Sequence, residues 1–321
     1  MNDVNCKYCQ SERVIKFGKY KNTQYYYCKA CRRKFSAFDT IPKMQTPIRC
    51  LADVLNMYYE GLTEAEIRRN LIQQEGRYPS TGSIYGWVHR FTDLAVKEAV
   101  KHKPNVGDAW VADETVVDID GKNVWLWDII DVKTRFLIAS RMSFTRTTKD
   151  AEALMRLAYE RTGKAPRVIY TDKLRAYLDG IELTFGADTK HRQGGPFDIE
   201  RNTNVIERFH GTIKSRTKVM RGLHTIETAR MFLDGWLVHY NFFRPHLALK
   251  DKTPAEVAQI SFPFRNWKDV CEQPYEVTAR IPILAIDRPL PKARKTRAPR
   301  ARKVRMPRVS VPTVTLSRMR G

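Results

Sequence analysis

The sequence predicts an α/β protein whose main domain is a mixed five-stranded sheet with flanking helices, preceded by a small metal-closed ribbon and a run of helices. Three observations predict it. Two Cys-x-x-Cys pairs open the chain, Cys6/Cys9 and Cys28/Cys31. From about residue 47 to 97 apolar residues recur at helical spacing, and from 108 the pattern changes to strand-like alternation. At 321 residues the chain exceeds one ordinary domain. Its 57 Lys and Arg against 35 Asp and Glu, a net +22, argue for a polyanionic partner, of which nucleic acid is the commonest.

Residues 1–40 read as a zinc ribbon. Eighteen residues separate the two cysteine pairs, and "RVIKFGKYKNTQYYYC" between them is β-type. Four thiolates close a tetrahedral site and leave no open position, so a Zn2+ held by Cys6, Cys9, Cys28 and Cys31 is structural. A module this small draws much of its folding energy from the metal. Arg32, Arg33 and Lys34 follow the last ligand and make the ribbon basic, with Arg32 and Arg33 expected on DNA. Cys50 and Cys271 stand alone and read as packed thiols. No apolar run approaches the roughly 20 residues of a membrane helix. "MNDVNCKYCQ" has no apolar h-region. A reducing, cytoplasmic and nucleoid-associated location is expected, without membrane contact.

Residues 47–100 predict three helices. "PIRCLADVLNMYYEG" stops at Gly61, "LTEAEIRRNLIQQ" opens with the capping-box pair Thr63 and Glu66, and "PSTGSIYGWVHRFTDLAVKEAV" opens at Ser80. This fits a helix-turn-helix DNA-binding domain, although a plain three-helix bundle satisfies the same pattern. As the groove reader the third helix would expose some of Ser80, Ser83, Tyr85, His89 and Arg90, with Ser83 and Arg90 the expected DNA contacts. "KHKPNVGD" is a linker.

The α/β domain is expected over 108–260. "AWVADETVVDI" and "NVWLWDIIDV" flank the hairpin signal "DGKN", and "TRFLIASRMS" makes a third strand. "TTKDAEALMRLAYERTG" is a helix with Thr147 or Thr148 near its N-cap and Gly163 at its end. A buried strand "PRVIYTD", the segment "KLRAYLDGI", an extended stretch around "ADTKHR" and two long helical segments at about 202–221 and 225–243 follow. A three-strand meander, then helix, strand, helix and a carboxylate-bearing helix, is the order of an RNase H-like domain. Beyond about 275 the chain reads as a basic, disordered tail: from Arg288 to Arg320 there are twelve Lys or Arg and no acid.

Three acids sit at telling places: Asp113 in the first strand, Asp172 at the end of "VIYTD", and Glu207 in "NVIERFHGTIKSR", with 34 residues between the last two. Any one alone reads as surface charge; their joint placement points to chemistry. Phosphodiester transfer develops charge on the attacking and leaving oxygens, and two Mg2+ ions about 3.5–4 Å apart stabilise both. Mg2+ takes hard oxygen ligands, usually through few carboxylates. Strand alternation predicts that Glu114 and Asp118 point away from Asp113's side. Asp128 and Asp131 read as structural.

These words resemble the DDE transposases of insertion sequences. "WVADET", "VIYTDKLRAY" and "NVIERFHGTIKSR" carry the resemblance, "YNFFRPHLALKDKTPAEVA" is similar to the end of that catalytic domain, and retroviral-type integrase cores are similar too. The 34-residue gap is similar to the subgroup that leaves donor and target as a cointegrate. The resemblance covers about 108–258 and implies that Asp113, Asp172 and Glu207 are a metal-binding catalytic triad holding two Mg2+, with Mn2+ as a substitute. Lys173 matches a position that is usually basic or polar. Asn204 and Lys214 share a helix face with Glu207 and, with Arg216, are expected against the DNA backbone.

The resemblance implies an enzyme that binds insertion-sequence ends, nicks them and joins the 3′-hydroxyl to target DNA. Bringing two ends together implies a homodimer or larger assembly. A regulator with an inactive core, and an RNase H-like nuclease that only hydrolyses, are the alternatives.

Overall fold

The computed structural model describes residues 4–20, 23–36, 39–41, 44–194, 204–219, 223, 225–273 and 285–286. The N-terminal strands β1 (Val14–Tyr20), β2 (Thr23–Cys28) and β3 (Lys34–Ser36) form an antiparallel sheet in the order β1-β2-β3. Its small core is Tyr26, Phe35, Cys6 and Cys28. That core is too small to stabilise the module alone, which is why the cysteines matter.

Three helices follow: α1 (Ile48–Glu60), α2 (Glu64–Glu75) and α3 (Thr81–Ala99). Their ends follow local chemistry. Gly61 stops α1 at φ 124°, a backbone conformation that L side chains rarely adopt. Thr63 and Glu66 close a reciprocal capping box on α2, and Ser80 caps α3 by accepting from the Ser83 amide.

The main sheet runs β8-β7-β4-β5-β6-β9, built from β4 (Ala109–Ile119), β5 (Lys122–Asp131), β6 (Leu137–Ser143), β7 (Val168–Thr171), β8 (Lys190–Gln193) and β9 (Ala285–Ile286). β4, β5 and β6 form an antiparallel meander, and β7 and β8 add in parallel. The β4–β5 turn is Asp120-Gly121, both at positive φ, as a two-residue hairpin requires. The five expected strands are present, in an RNase H-like arrangement. β9 is a sixth, paired in parallel with β6. It falls within the expected tail of 275–321, so two of those residues belong to the sheet; the remainder lies outside the described residues.

Helices flank the sheet: α4 (Thr148–Thr162), α5 (Arg175–Phe185), α6 (Asn204–Val219), α7 (Ile226–Val238), α8 (Pro254–Val257) and α9 (Trp267–Cys271), with a π-helical turn at 239–243 after α7. A Cβ at Gly180 of α5 would come 2.9 Å from the Ala151 side chain of α4, so glycine sets that close approach. The N-terminal helices pack on the core. Gly235 of α7 lies against Tyr59 and Thr92, where a Cβ would meet the Tyr59 hydroxyl at 2.0 Å, and Tyr59 stacks on Trp267 of α9. Among the described residues no helix is long and apolar enough to cross a membrane.

Candidate active site

The parallel pairing of β4 with β7 matches Val111 with Tyr170. Carried two residues further, the same register brings Asp113 level with Asp172, which stands one residue past the end of β7. Strands about 4.8 Å apart then place two carboxylates side by side at an open sheet edge. Their oxygens do meet: Asp113, Asp172 and Glu114 each offer an oxygen, all within 4.8 Å of one another. Glu207 is not in this group. It lies on the exposed side of α6, a helix packed against β4 and β5.

Glu114 corrects an expectation. It was to point away from Asp113, and its side chain does occupy the α5 side of β4, where the Tyr177 hydroxyl donates to Oε2 at 2.8 Å. Beyond Val111, however, β4 has no β7 partner, and the longer carboxylate reaches the same edge. Both its oxygens are taken, Oε1 by Arg146. Burial holds the Glu114 carboxyl above its usual range, against the opposing hydrogen bonds from Tyr177 and Arg146.

Arg146 is seated with care. Thr147 and Asp150 form the capping box of α4, Asp150 also accepts from Thr145, and Arg141 lies 3.5 Å from Asp150. The guanidinium lies over the Trp125 ring, pairs with Glu114 and comes within 3.9 Å of Asp172 Oδ2. The other oxygen, Asp172 Oδ1, accepts from the Leu174 amide at 2.9 Å.

Asp113 is held from the opposite face. His210 of α6 places Nδ1 3.4 Å from Asp113 Oδ2 and Nε2 2.9 Å from Asp128 Oδ2. Asp128 is fully buried and accepts from Ser140 at 2.5 Å. A ring with a carboxylate on each nitrogen is an imidazolium donating twice. Burial opposes that charge, but hydrogen bonds to Asp113 and Asp128 outweigh it and hold His210 up at about 9. Asp131 accepts from the Gly107 and Thr134 amides, and so shapes the β5–β6 turn.

The remaining expected site residues fall in distinct places. Lys173, next to Asp172 in the chain, and Lys214 on α6 are exposed, and Asn204 opens α6 half-buried. Arg216 is a correction. It is 3% exposed, with its guanidinium 4.6 Å from the Tyr58 ring and 5.3 Å from that of Phe232, so it joins α6 to the N-terminal helices and offers no face to DNA. Ser83 is exposed on α3 beside Tyr85 and His89, whereas Arg90 is half-buried with Nη1 3.6 Å from Met44 Sδ.

In the ribbon the four sulfurs lie within 4.8 Å of one another, with Cys6–Cys31 at 3.5 Å and Cys9–Cys28 at 3.6 Å. A tetrahedron with Zn–S of about 2.3 Å has S–S edges of about 3.8 Å, so the quartet fits that ion. The Cys31 amide near Cys28 Sγ helps draw that thiol down to about 6. Arg32 and Arg33 are exposed, Arg33 over the Tyr8 ring at 5.0 Å.

Sequence reasoning missed Arg146 and Tyr177, set Glu114 aside as pointing away, and read Asp128 as structural without pairing it to His210. For His210 a signal existed, since it lies three residues after Glu207 on one helix. Arg146 carried none, since only the fold brings its loop to the sheet edge.

Residues 107–246, a little under half of the chain, match an IS240-type transposase family described as a DDE domain. No curated protein matches. Among solved structures, the magnesium complex of the HTLV-2 integrase catalytic core domain in its trimeric form is similar at 18% identity and TM-score 0.38, over 49% of this chain and 97% of that one. The simian T-cell lymphotropic virus intasome in complex with PP2A regulatory subunit B56 gamma is similar at 14% and 0.39, over 72% and 79%. The BIV integrase catalytic core domain is similar at 17% and 0.37, over 48% and 94%. The family match falls on the sheet and the acids described above, and supports a DDE-type domain at residues 107–246 with polynucleotidyl transfer as its general chemistry.

Proposed function

We propose that the protein binds the ends of an insertion sequence, nicks them by hydrolysis and joins the freed 3′-hydroxyl to target DNA by transesterification. The observation that supports this most is the side-by-side placement of Asp113 and Asp172 at the open edge of β4, inside the matched domain. Each keeps one oxygen without a protein hydrogen bond among the described residues, whereas both oxygens of Glu114 are taken. Asp113 and Asp172 are therefore proposed ligands for Mg2+ or Mn2+, with Glu207, carried by the resemblance, as the third; carboxylates are a hard-oxygen set suited to either ion. When bound, such ions supply charge stabilisation at the attacking and leaving oxygens.

The chain's own residues do the rest. His210, anchored on buried Asp128, fixes the rotamer of Asp113. Arg146 offsets the repulsion between Glu114 and Asp172. Lys173, Lys214 and Asn204 are the proposed contacts to the phosphate backbone. The reaction needs no protein nucleophile, because water and then a DNA hydroxyl attack. In the N-terminal part, zinc on the four cysteines closes the ribbon of residues 1–40. Residues 47–100 serve as a helix-turn-helix whose α3 reads DNA through Ser83, Tyr85 and His89, while Arg32 and Arg33 meet the backbone. Two ends held together require at least a dimer.

The test is purified protein with labelled donor ends, target DNA and Mg2+. Strand joining is the expected result. Cleavage without joining would make the protein a nuclease, and binding with neither would make it a regulator.

A further inference from the structure

Helix α6 presents two faces. His210 turns toward the acids, while Val205, Arg208, Phe209 and Thr212 line a separate cleft of about 370 Å3. Its other wall is Arg135 from the β5–β6 turn and the segment from Tyr240 to Ala248. Three guanidinium-bearing residues line it, Arg135, Arg208 and Arg244, and among the described residues no carboxylate does.

Among the described residues these cations have little to neutralise them. Arg208 is exposed and makes no ion pair among the described residues. Arg244 has one distant partner, Glu60 at 3.9 Å, and Glu60 is already held by His239 at 3.0 Å. Asp131 is the acid that acts on Arg135, but Gly107 and Thr134 occupy its two oxygens. Arg135 also sits at φ 61°, a left-handed backbone uncommon for a side-chain-bearing residue, in a turn held by that Asp131–Thr134 ladder. Burial lowers its pKa, and the nearby Arg208 acts in the same direction. A convergence of guanidiniums with no full counter-charge among the described residues is a site for an anion, and their planar forks suit phosphate best.

The cleft is not purely ionic. Phe209 and Tyr240 meet edge to face at 5.0 Å in its wall, and Leu247 stands 89% exposed at its rim. A free inorganic anion has no use for that apolar rim, and the chain's own Arg- and Lys-rich C-terminal end has the wrong charge. A DNA strand offers both a phosphate and apolar sugar and base faces.

We propose that this cleft binds a backbone phosphate of a DNA strand running along α6, held by Arg135, Arg208 and Arg244 with Leu247 against the adjoining sugar or base. The proposal rests on the DNA-processing reading above and adds to it a contact outside the acid cluster. It also gives the Arg-Pro-His segment at 244–246 a role in binding.

The experiment measures binding of the full chain to a fluorescent duplex across a salt series, for wild type, Arg208→Ala, Arg135→Ala and Arg208→Lys. Each alanine variant is expected to flatten the slope of log K against log salt by about 1 and to weaken binding roughly tenfold near 0.1 M salt, with the lysine variant largely restored. Because Arg208 is exposed, its truncation removes no core packing, and unchanged melting checks this. In a series of duplexes neutralised at single phosphates, one position should weaken wild type but not Arg208→Ala. Unchanged slopes in both alanine variants overturn the proposal. So does inorganic phosphate that binds wild type and not Arg208→Ala while the DNA slopes stay equal. If wild type binds DNA but joins no strands, the transposase reading fails and the slopes still decide the cleft. If it joins strands and the slopes are unmoved, the cleft alone fails. If wild type binds no DNA, both fall.

Discussion

At the scale of residues, the account turns on how neighbouring side chains divide one small space. Asp113 is shared between the open edge and His210, which also holds the buried Asp128. In metal-free protein this has a pH signature. The His210 pKa stands at about 9, above its ordinary 6.5. Its stabilisation is therefore complete below about 6.5 and is lost as pH rises through 9, with a ceiling of about 3 kcal/mol. Thermal melts in EDTA should show wild type losing stability between pH 7 and 9.5. His210→Gln should start lower and vary less over that window; parallel pH profiles would show that the imidazolium contributes nothing. Asp113 and Asp172 were legible in the sequence because each lies in or just past a short apolar strand, so their adjacency follows from strand pairing. Glu114 was not, because strict alternation put it on the other face and only the unpaired edge beyond Val111 lets it join them.

At the scale of elements, local chemistry was the readable part. Thr63 with Glu66, Ser80, Thr147 or Thr148, and Gly163 mark helix ends in the sequence, and the structure caps its helices there, with Thr147 taking the cap of α4, since capping is decided within a few residues. How the elements dock was not readable. Arg216 belongs by pattern to a basic helix, yet it is buried against Tyr58 because the N-terminal helices pack on α6 and α7. That docking can be tested at Gly235, where a Cβ would meet the Tyr59 hydroxyl at 2.0 Å and Thr92 at 2.6 Å. Gly235→Ala should destabilise the protein by about 2 kcal/mol in denaturant titration, although alanine favours helices intrinsically. A neutral or stabilising outcome would mean that this contact is loose in solution. The ribbon has its own test. All six tryptophans lie beyond residue 40, so their fluorescence reports the rest of the chain. Chelation should release one zinc per chain and make residues 1–40 sensitive to protease while tryptophan emission stays constant. Emission that collapses together with the ribbon would make the metal a support of the whole fold.

At the scale of the whole molecule, a net charge of +22 surrounds a small nest of carboxylates. The basic excess suits a polyanionic partner, and Asp113, Glu114 and Asp172 are the carboxylate group among the described residues that could hold a metal ion beside it. The fold puts the middle of β4 beside the end of the parallel β7, with α6 packed on β4, so that acids distant in sequence share one edge. Glu207 is the member whose place depends most on the proposal, because the described carboxylate cluster contains Glu114 instead. The most direct measurement is therefore the Mg2+-dependent rate at which pre-nicked donor ends join target DNA, compared among wild type, Asp113→Asn, Asp172→Asn, Glu207→Gln and Glu114→Gln at saturating DNA. The account predicts losses of at least about a thousandfold for the first three variants with end binding retained, and a smaller loss for Glu114→Gln. Near-normal joining by Glu207→Gln, with joining abolished in Glu114→Gln, would contradict it and give Glu114 the third ligand's place.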